Sequence, residues 1–303
     1  MLSSLTVLDF SHRLPGPYAT YLLAGLGAKV IKVEDKKFQD PFLSGAFKEM
    51  DESFMTWYHQ LNDNKEIKRF DFNSSKIKEQ LNALIQRADV IMMGLPEKLA
   101  DKVGVSEELL NIRPIVYCRP LSSKKNNKPA HDLNSLAETG LLEMHVHQHN
   151  ESDTIEPPML PFSGISFGSQ MALQILSAHI NVLKTNKFYP IDVYLDESTK
   201  TTLGPFYAQE LKEKNINRFL HNGKFPCYCI YKSKDKKYVA LAAVEEKFWI
   251  NFCELFNIEI PVEKRFQYSD RTIFNQLSTL FKELDSKDIL ENSQKKDCCL
   301  SIF

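Results

Sequence analysis

A histidine and an aspartate stand side by side at positions 131 and 132, immediately before a run of apolar residues with helical spacing. Pro129 cannot continue a preceding helix, and Asp132 is suited to cap a helix that begins after it. The pair is therefore predicted at a helix N-terminus, which favours an anion. An ionised Asp132 there could attack a carbonyl carbon or accept a proton, and His131 could exchange protons near neutral pH. A plain helix cap beside an incidental histidine is the alternative that these residues leave open.

Three further histidines alternate at His145, His147 and His149. On an extended strand they would share one face and could bind a transition metal. The segment is polar, however, and no nearby carboxylate spacing completes a ligand set, which favours a surface loop. No metal site is predicted.

The segment before residue 35 predicts the element that must position this chemistry. Residues 5–10 (LTVLDF) form a β-rich run, LPGP makes a turn, residues 17–26 have helical character, and residues 29–33 (KVIKV) form a second short strand. Strand, helix and strand within about 30 residues make a βαβ unit, which predicts a parallel sheet with ligands at the carboxyl ends of its strands. The turn lacks the Gly-x-Gly-x-x-Gly pattern of a nicotinamide dehydrogenase, so that function is excluded.

The composition describes a globular protein with an ample core: 303 residues, 43% hydrophobic and 25% charged, with a formal net charge of −1. This balance gives no reason to expect nucleic-acid binding. Six cysteines without a CxxC pair fit reduced thiols. No stretch reads as a membrane span, and the N-terminus lacks the pattern of a secretion signal, so a cytoplasmic protein without membrane contact is expected.

Five segments occur in one order along nearly the whole chain and together resemble the family III CoA-transferases, the CaiB/BaiF family, which also contains the α-methylacyl-CoA racemases. The segments are LTVLDFSHRLPGPYATYLLAGLGAKVIKVE at 5–34, LNDNKEIKRFDF at 61–72, AHDLNSLAETGLL at 130–142, YPIDVYLDES at 189–198 and HNGKFPCYCIYKSKDKKYVALAAVEEKFW at 221–249. Each segment alone is weakly specific, whereas the ordered series is strongly specific. The chain is therefore identified as a member of this family.

The resemblance implies an α/β fold in two domains. A Rossmann-like, parallel-sheet, CoA-binding large domain is expected over residues 1–200, and a smaller α+β domain with a hairpin and helices over residues 201–303. Family members form interlocked dimers, so a homodimer is expected. The sequence ends where members of the family generally continue, which predicts a small domain without the family's returning tail.

The resemblance also implies coenzyme A or an acyl-CoA as substrate, a carboxylic acid as second substrate, and no permanently bound cofactor. CoA carries three phosphates, so cations near helix starts and the sheet edge are expected to bind it. These lysines are expected on the surface, where plain solvation is the alternative. The candidates are Lys36 and Lys37 after the second strand, Lys65 where the family has a lysine, and Lys124, Lys125 and Lys128 in the loop before the His-Asp pair.

The two branches of the family imply different roles for the His-Asp pair. In the transferase branch, an aspartate matching Asp132 attacks the acyl-CoA thioester and forms a mixed anhydride, which CoA and then an acceptor acid resolve. In the racemase branch, a histidine matching His131 moves the α-proton of the acyl chain, and a glutamate matching Glu245 orients it. The sequence AHDLN is more similar to the racemase branch, but Gly164 or Ile165 stands where that branch has its second acid. CoA transfer through Asp132 is the leading prediction, and α-proton exchange by His131 is the second.

Departures from the family pattern favour a third hypothesis, a CoA-binding protein without turnover. Transferases close their site with a glycine-rich loop from the small domain, whereas Gly223 is the only glycine after Gly204. The family's Arg-Pro-Gly after the third strand reads Leu-Pro-Glu at residues 95–97. Covalent capture at Asp132, deuterium uptake at the α-carbon, or binding with neither would separate the three hypotheses.

Overall fold

The structure is a computed structural model of the chain. It describes residues 1–51, 53–125, 129–146, 154–213, 220–268 and 271–303. Lys128, His147 and His149 lie outside these described ranges. The chain divides into two compact units, Met1–Tyr207 and Ala208–Phe303. The boundary predicted between residues 200 and 201 falls within one helix, Leu195–Glu213, and the role predicted for each domain stays a prediction.

A parallel sheet of six strands lies at the centre of the first unit, in the order β3-β2-β1-β4-β5-β6. Its strands are β1 Thr6–Asp9, β2 Lys29–Asp35, β3 Glu66–Phe70, β4 Val90–Met92, β5 Val116–Leu121 and β6 Tyr189–Tyr194. The strand order reverses between β1 and β4, and open sheets of this kind bind ligands beyond the strand ends at that point. The predicted α/β fold with a Rossmann-like parallel sheet is confirmed.

Helices cover both faces of this sheet, which is why apolar residues of its central strands, such as Val7, Leu8 and Ile91, are buried on either face. The helices are α1 Pro15–Gly25, α2 Ala46–Met50, α3 Ser53–Asn62, α4 Ile77–Ile85, α5 Glu97–Val103, α6 Glu107–Leu110, α7 Asp132–Glu138, α8 Leu141–Val146, α9 Phe162–Thr185 and α10 Leu195–Glu213. One core layer packs α1 and α9 against the sheet, and the other packs α4 and α5 against its opposite face. A 3₁₀ turn at Pro41–Leu43 follows β2.

The second unit has a sheet and a core of its own. Its antiparallel sheet has the order β7-β8-β9, formed by Tyr228–Lys232, Tyr238–Ala242 and Leu300–Ile302. The helices are α11 Glu246–Leu255, α12 Arg271–Glu283 and α13 Ser286–Ser293, with 3₁₀ turns at Leu220–Asn222 and Val262–Phe266. Its core centres on Trp249, Phe252 and Phe281. Over the described parts of the whole chain, no helix is long and apolar enough to cross a membrane.

Candidate active site

Asp132 lies where two helices meet. It is the first residue of α7, and His131 takes the N-cap position, which corrects the prediction that Asp132 caps this helix. The His131 N–H donates to Asn134 Oδ1 at 3.0 Å, so Asn134 rather than Asp132 contacts the backbone of the N-cap residue. The Asp132 side chain instead accepts a hydrogen bond at Oδ1 from the N–H of Gly164, at 2.8 Å, in the first turn of α9. The N-terminus of this 24-residue helix stabilises the carboxylate.

Two opposing effects act on the pKa of Asp132. Burial raises the pKa, and the backbone N–H groups of Gly164 and Ser163 lower it without cancelling the rise. The net pKa lies above the ordinary value of 3.8. A carboxylate with a raised pKa is more basic than a free one, which suits a nucleophile.

A cleft of about 690 Å³, named the acyl cleft here, opens beside Asp132. Its walls are mostly apolar and include Leu14, Phe42, Phe54, Trp57, Leu133, Met159, Phe167 and Leu195. Within the described part of the chain, the ionisable residues that line it are Arg13, His131 and Asp132. The carboxylate of Asp132 therefore faces a cleft whose walls are mostly apolar, an environment in which a nucleophile competes with less water.

A second pocket, named the strand-end pocket here, has a volume of about 310 Å³ and is bordered by residues at the carboxyl ends of β1, β2 and β4. Residues 10–12 line it, whereas residues 13–15 line the acyl cleft. In the same way, Asp40 and Pro41 line the strand-end pocket and Phe42 lines the acyl cleft. The two pockets therefore lie side by side and share two loops as walls.

Lys65 is not a surface residue, which corrects the expectation that it is exposed. Its side chain is fully buried. The ammonium donates to Asp9 Oδ2 at 3.3 Å, to the carbonyl oxygen of Pro17 at 2.8 Å and to Asn62 Oδ1 at 2.9 Å. These partners use all three N–H donors of the ammonium. Lys65 therefore supports the start of α1, and its contact with CoA stays a prediction.

Asp9, at the end of β1, is the anionic partner in this buried network. The hydroxyls of Ser11 and Thr20 donate to its carboxylate. Burial alone would raise the pKa of Asp9, but the ammonium groups of Lys65 and Lys32 and the two hydroxyls outweigh burial and lower the pKa to about 2. The carboxylate therefore stays ionised beneath the loop that links β1 to α1, and it anchors that loop.

Of the other five candidate lysines, Lys128 lies outside the described residues, and the remaining four are exposed: Lys36, Lys37, Lys124 and Lys125. The Nζ atom of Lys37 lies 3.8 Å from Asp71 Oδ2, and that of Lys124 lies 3.3 Å from Glu197 Oε1. Lys36 and Lys37 stand between Asp35 and Phe38, which line the strand-end pocket. Phosphate binding by these four lysines stays a prediction.

Glu245 belongs to the second unit. It is exposed, precedes α11 as its N-cap residue, and accepts a hydrogen bond at its carbonyl oxygen from the N–H of Trp249 at 3.1 Å. Its role in orienting His131 stays a prediction.

No group of three or more His, Cys, Asp or Glu side chains that could hold a metal ion occurs among the residues that the structure describes. His145 is half-buried, and its Nε2 atom lies 2.7 Å from the carbonyl oxygen of Glu156. Its two alternating partners in the sequence are outside the described ranges.

Sequence reasoning missed two features of the acyl cleft. Arg13 lines the cleft. Its backbone is left-handed, with φ 64°, which no local pattern in HRLPGP predicts. Sequence reasoning considers Gly164 only because it stands where the racemase branch has its second acid. The structure shows that a Cβ at Gly164 would lie 2.7 Å from Leu14 Cδ2 and 3.8 Å from Asp132 Oδ1. The absent side chain lets α9 bring its N–H groups to Asp132. Gly164 and Gly168 are one helical turn apart, and this spacing could have indicated close packing.

A sequence profile of CoA-transferase family III matches residues 2–302 of the chain. The chain belongs to CoA-transferase family III. This confirms the family identified from the five ordered segments. The homodimer and the cytoplasmic location that were expected with it stay predictions.

Two relatives and one solved structure illustrate the similarity. A CaiB/baiF CoA-transferase family protein of Caenorhabditis elegans, ZK892.4, is 23% identical over 317 residues, which cover 99% of this chain and 85% of that protein. Formyl-CoA:oxalate CoA-transferase of Afipia carboxidovorans is 35% identical over 114 residues, which cover 37% of this chain and only 27% of that enzyme. The crystal structure of a CaiB/BaiF family protein from Brucella suis has a TM-score of 0.71 at 22% identity, over 97% of this chain and 81% of that one. This last similarity shows a shared fold.

Proposed function

We propose that the protein transfers CoA between carboxylic acids through a covalent intermediate on Asp132. One observation carries the proposal: the Asp132 carboxylate is held by the N–H of Gly164 in an apolar cleft that shares its walls with the strand-end pocket. A CoA thioester could then lie with its nucleotide in one pocket and its acyl group in the other. Family membership supports the same chemistry.

The first half of the reaction is acylation of Asp132. A carboxylate oxygen attacks the thioester carbonyl carbon, a C–O bond forms, the C–S bond breaks, and CoA leaves as a thiolate. The thiolate then attacks the aspartyl carbonyl carbon of the mixed anhydride and expels the donor acid as a carboxylate. Asp132 is left as a thioester of CoA. The acceptor acid passes through the same two steps in the opposite order, which releases its CoA thioester and regenerates Asp132.

Groups of the chain support these reaction steps. The N–H groups at the start of α9 hold the attacking carboxylate in place, and burial raises its pKa. Apolar side chains such as Phe42, Trp57 and Phe167 restrict the access of water to the anhydride. The covalent route needs no second acid on the opposite face of the substrate. Gly164, which stands in that position, supplies none.

The nucleotide of CoA is expected in the strand-end pocket, because open parallel sheets bind ligands where the strand order reverses. Lys36 and Lys37 stand at its edge and could meet the phosphates. Lys124 and Lys125 lie in the loop before α7, and they remain the alternative phosphate contacts.

Isotope exchange between acetyl-CoA and labelled free CoA, without an acceptor acid, tests the proposal. The wild-type protein is expected to move label into the thioester, because acylation releases CoA reversibly. Asp132→Ala is expected to slow this exchange by more than about a thousandfold, since it removes the nucleophile. Glu138→Ala is the matched control: it deletes an exposed carboxylate from the same helix and should leave the exchange rate unchanged.

The same samples in deuterated water separate the alternatives. Deuterium uptake at the α-carbon that is lost in His131→Gln, without exchange of CoA, would replace the proposal with racemase-type chemistry. Thioester binding with neither exchange nor deuterium uptake would identify a CoA-binding protein without turnover.

A further inference from the structure

The carboxylate of Asp40 lies at the partition between the two pockets. The loop after β1 lines the strand-end pocket with residues 10–12 and the acyl cleft with Arg13. The loop after β2 lines the strand-end pocket with Asp40 and the acyl cleft with Phe42. Asp40 accepts hydrogen bonds from the N–H of Arg13, at 3.1 and 3.2 Å, and from the N–H of Phe42, at 3.0 Å. Asp40 therefore fixes both loops where they pass from one pocket to the other.

A buried ammonium holds this carboxylate in place. The Nζ atom of Lys32 lies 3.6 Å from Asp40 Oδ2 and donates to the carbonyl oxygen of Ser11 at 2.7 Å. Both charged side chains are buried, so water and salt weaken their attraction less than on an open surface. The loop after β1 is therefore tied to Lys32 twice, directly at Ser11 and by way of Asp40 at Arg13.

The backbone of Arg13 shows that these contacts act against a cost. Its φ of 64° lies in the left-handed region, which favours glycine, asparagine and aspartate. A different residue keeps that conformation where the surrounding structure outweighs the cost. A ligand that orders Asp40 and its neighbours therefore stabilises this loop on both of its sides.

The ring of Phe42 connects Asp40 to the aromatic wall of the acyl cleft. It stacks on Phe54 with ring centroids 4.8 Å apart and meets the edge of Trp57 at 6.4 Å. The rings of Phe54 and Trp57 are 5.7 Å apart, and all three line the cleft. Asp40 caps the turn that carries Phe42, and closely packed side chains transmit a displacement to their neighbours. The position of this wall therefore depends on Asp40.

We propose that Asp40 is a positioning residue that couples the two pockets: an adenine nucleotide in the strand-end pocket orders the shared loops and tightens the acyl cleft around a thioester. The first ligand bears the cost of ordering the loops, so the second binds more tightly. An acyl group then reaches its full affinity only when the nucleotide of CoA is bound as well. This inference rests on the proposed function, which places that nucleotide in the strand-end pocket.

Two fragments of CoA test the coupling, because each is expected to occupy one pocket. The nucleotide is represented by 3′-phospho-ADP, and the thioester by S-butyryl-N-acetylcysteamine. In calorimetric titrations of the full chain, saturating nucleotide should raise the affinity for the thioester by at least about fivefold. The thioester should raise the affinity for the nucleotide by the same factor, because coupling between two binding sites is reciprocal.

Asp40→Asn should remove the coupling, because asparagine keeps one acceptor oxygen but has no charge to pair with Lys32. Asp35→Asn is the matched control, since Asp35 is also a buried carboxylate that lines the strand-end pocket. Its carboxylate accepts hydrogen bonds from the N–H groups of three described residues that do not line the acyl cleft: Lys37, Phe38 and Phe72. Asp35→Asn should therefore keep the coupling factor, even where it changes the affinity for 3′-phospho-ADP.

The fluorescence of Trp57 gives a second reading, without a thioester. Addition of 3′-phospho-ADP alone should change the emission of the wild-type protein but not that of Trp57→Phe. Asp40→Asn should bind the nucleotide without this change. Phe42→Leu keeps the contacts of Asp40 and removes the ring beside Trp57, so it should bind the nucleotide with unchanged affinity, a smaller emission change and a smaller coupling factor. Circular dichroism checks that each variant is folded.

Independent binding of the two fragments to the wild-type protein, or no binding of the nucleotide, overturns the proposal. Full coupling or a full emission change in folded Asp40→Asn overturns it, and so does an equal loss of coupling in Asp35→Asn. If Asp40→Asn does not fold, full coupling in Phe42→Leu overturns it. CoA exchange through Asp132 without coupling would leave the proposed function standing. Coupling that depends on Asp40, in a protein that exchanges no CoA, would sustain the role of Asp40 and contradict transfer.

Discussion

Asp132 combines two properties that a free aspartate lacks: a fixed orientation and a raised pKa. The N–H of Gly164 gives the first, and burial beside the acyl cleft gives the second. Both follow from the position of the carboxylate at the start of a helix that is distant in sequence. The environment of the proposed nucleophile is therefore a product of the tertiary structure and not of the His-Asp dipeptide alone.

The pH dependence of CoA exchange should report this raised pKa. Only the ionised carboxylate attacks, so the rate constant kcat/KM should fall as the pH falls through the pKa of Asp132 in the free protein. The acid limb should therefore lie above the ordinary value of 3.8. It is measured from initial exchange rates, with circular dichroism as the check that the protein stays folded. An acid limb at or below 3.8 in folded protein would show that burial does not govern this group.

Asp9→Asn should destabilise the first unit strongly. The substitution leaves the ammonium group of Lys65 buried without its carboxylate partner and removes a negative charge near Lys32, which should lower the free energy of unfolding by about 3–5 kcal/mol. Urea unfolding at neutral pH measures the loss. Asp71→Asn is the control, and at this partly exposed site a change within about 0.5 kcal/mol is expected.

The same carboxylate sets an acid limit to stability. The pKa of Asp9 is about 2 in the folded protein and 3.8 in its ordinary environment, so its contribution is complete above 3.8 and is lost as the pH falls towards 2. Between these two pH values, the free energy of unfolding of Asp9→Asn should change less with pH than that of the wild type. An equal dependence of the unfolding free energy on pH in both proteins would contradict the assignment of Asp9 as a buried, ionised carboxylate.

At the scale of elements, local sequence patterns predicted much of the fold. LTVLDF and KVIKV became β1 and β2, and the helix predicted over residues 17–26 is α1, Pro15–Gly25. These predictions succeed because apolar runs, turn residues and helix stops act over a few residues. The His-Asp pair also lies at a helix start, as predicted.

Contacts between distant elements could not be predicted in this way. Asp132 is bonded to Gly164, 32 residues further along, and the backbone of Arg13 is set by Asp40, 27 residues away. Lys65 was placed on the surface because its residue type is usually exposed, whereas its pairing with Asp9 spans 56 residues. Such pairings depend on how the helices pack on the sheet, which no short pattern records.

The two glycines at the start of α9 should differ in what they tolerate. A Cβ at Gly168 would lie 2.7 Å from the backbone carbonyl oxygen of Pro15, so Gly168→Ala should cost about 1–3 kcal/mol of unfolding free energy. At Gly164 the nearest atom is the flexible end of Leu14, so Gly164→Ala should cost less stability but slow CoA exchange, because it shifts the donor to Asp132. Chemical unfolding and exchange rates measure the two effects.

Gly25 provides the control for this pair, because a Cβ there meets nothing within 4 Å. Gly25→Ala at the end of α1 should be neutral or stabilising by up to about 1 kcal/mol. A stability loss in Gly25→Ala as large as that in Gly168→Ala would show that close packing on α9 is not the cause.

At the scale of the whole molecule, each unit holds one of the two tryptophans of the chain. Trp57 lines the acyl cleft, and Trp249 is fully buried in the core of the second unit. Binding of an acyl-CoA should therefore change the fluorescence of Trp57. A titration with butyryl-CoA should give a signal in the wild-type protein and little or none in Trp57→Phe. A signal of equal size in Trp57→Phe would place the acyl group away from this cleft.

The most direct test of the central claim is capture of the intermediate on Asp132. The protein is incubated with acetyl-CoA or succinyl-CoA and quenched with hydroxylamine, and its peptides are analysed by mass spectrometry. Attack of hydroxylamine on an aspartyl anhydride or thioester leaves a hydroxamate, so the peptide that contains Asp132 should gain the mass of one NH group, and only when a thioester is present. Thioester consumption with Asp132 unmodified, or a hydroxamate on a different residue, would contradict the account.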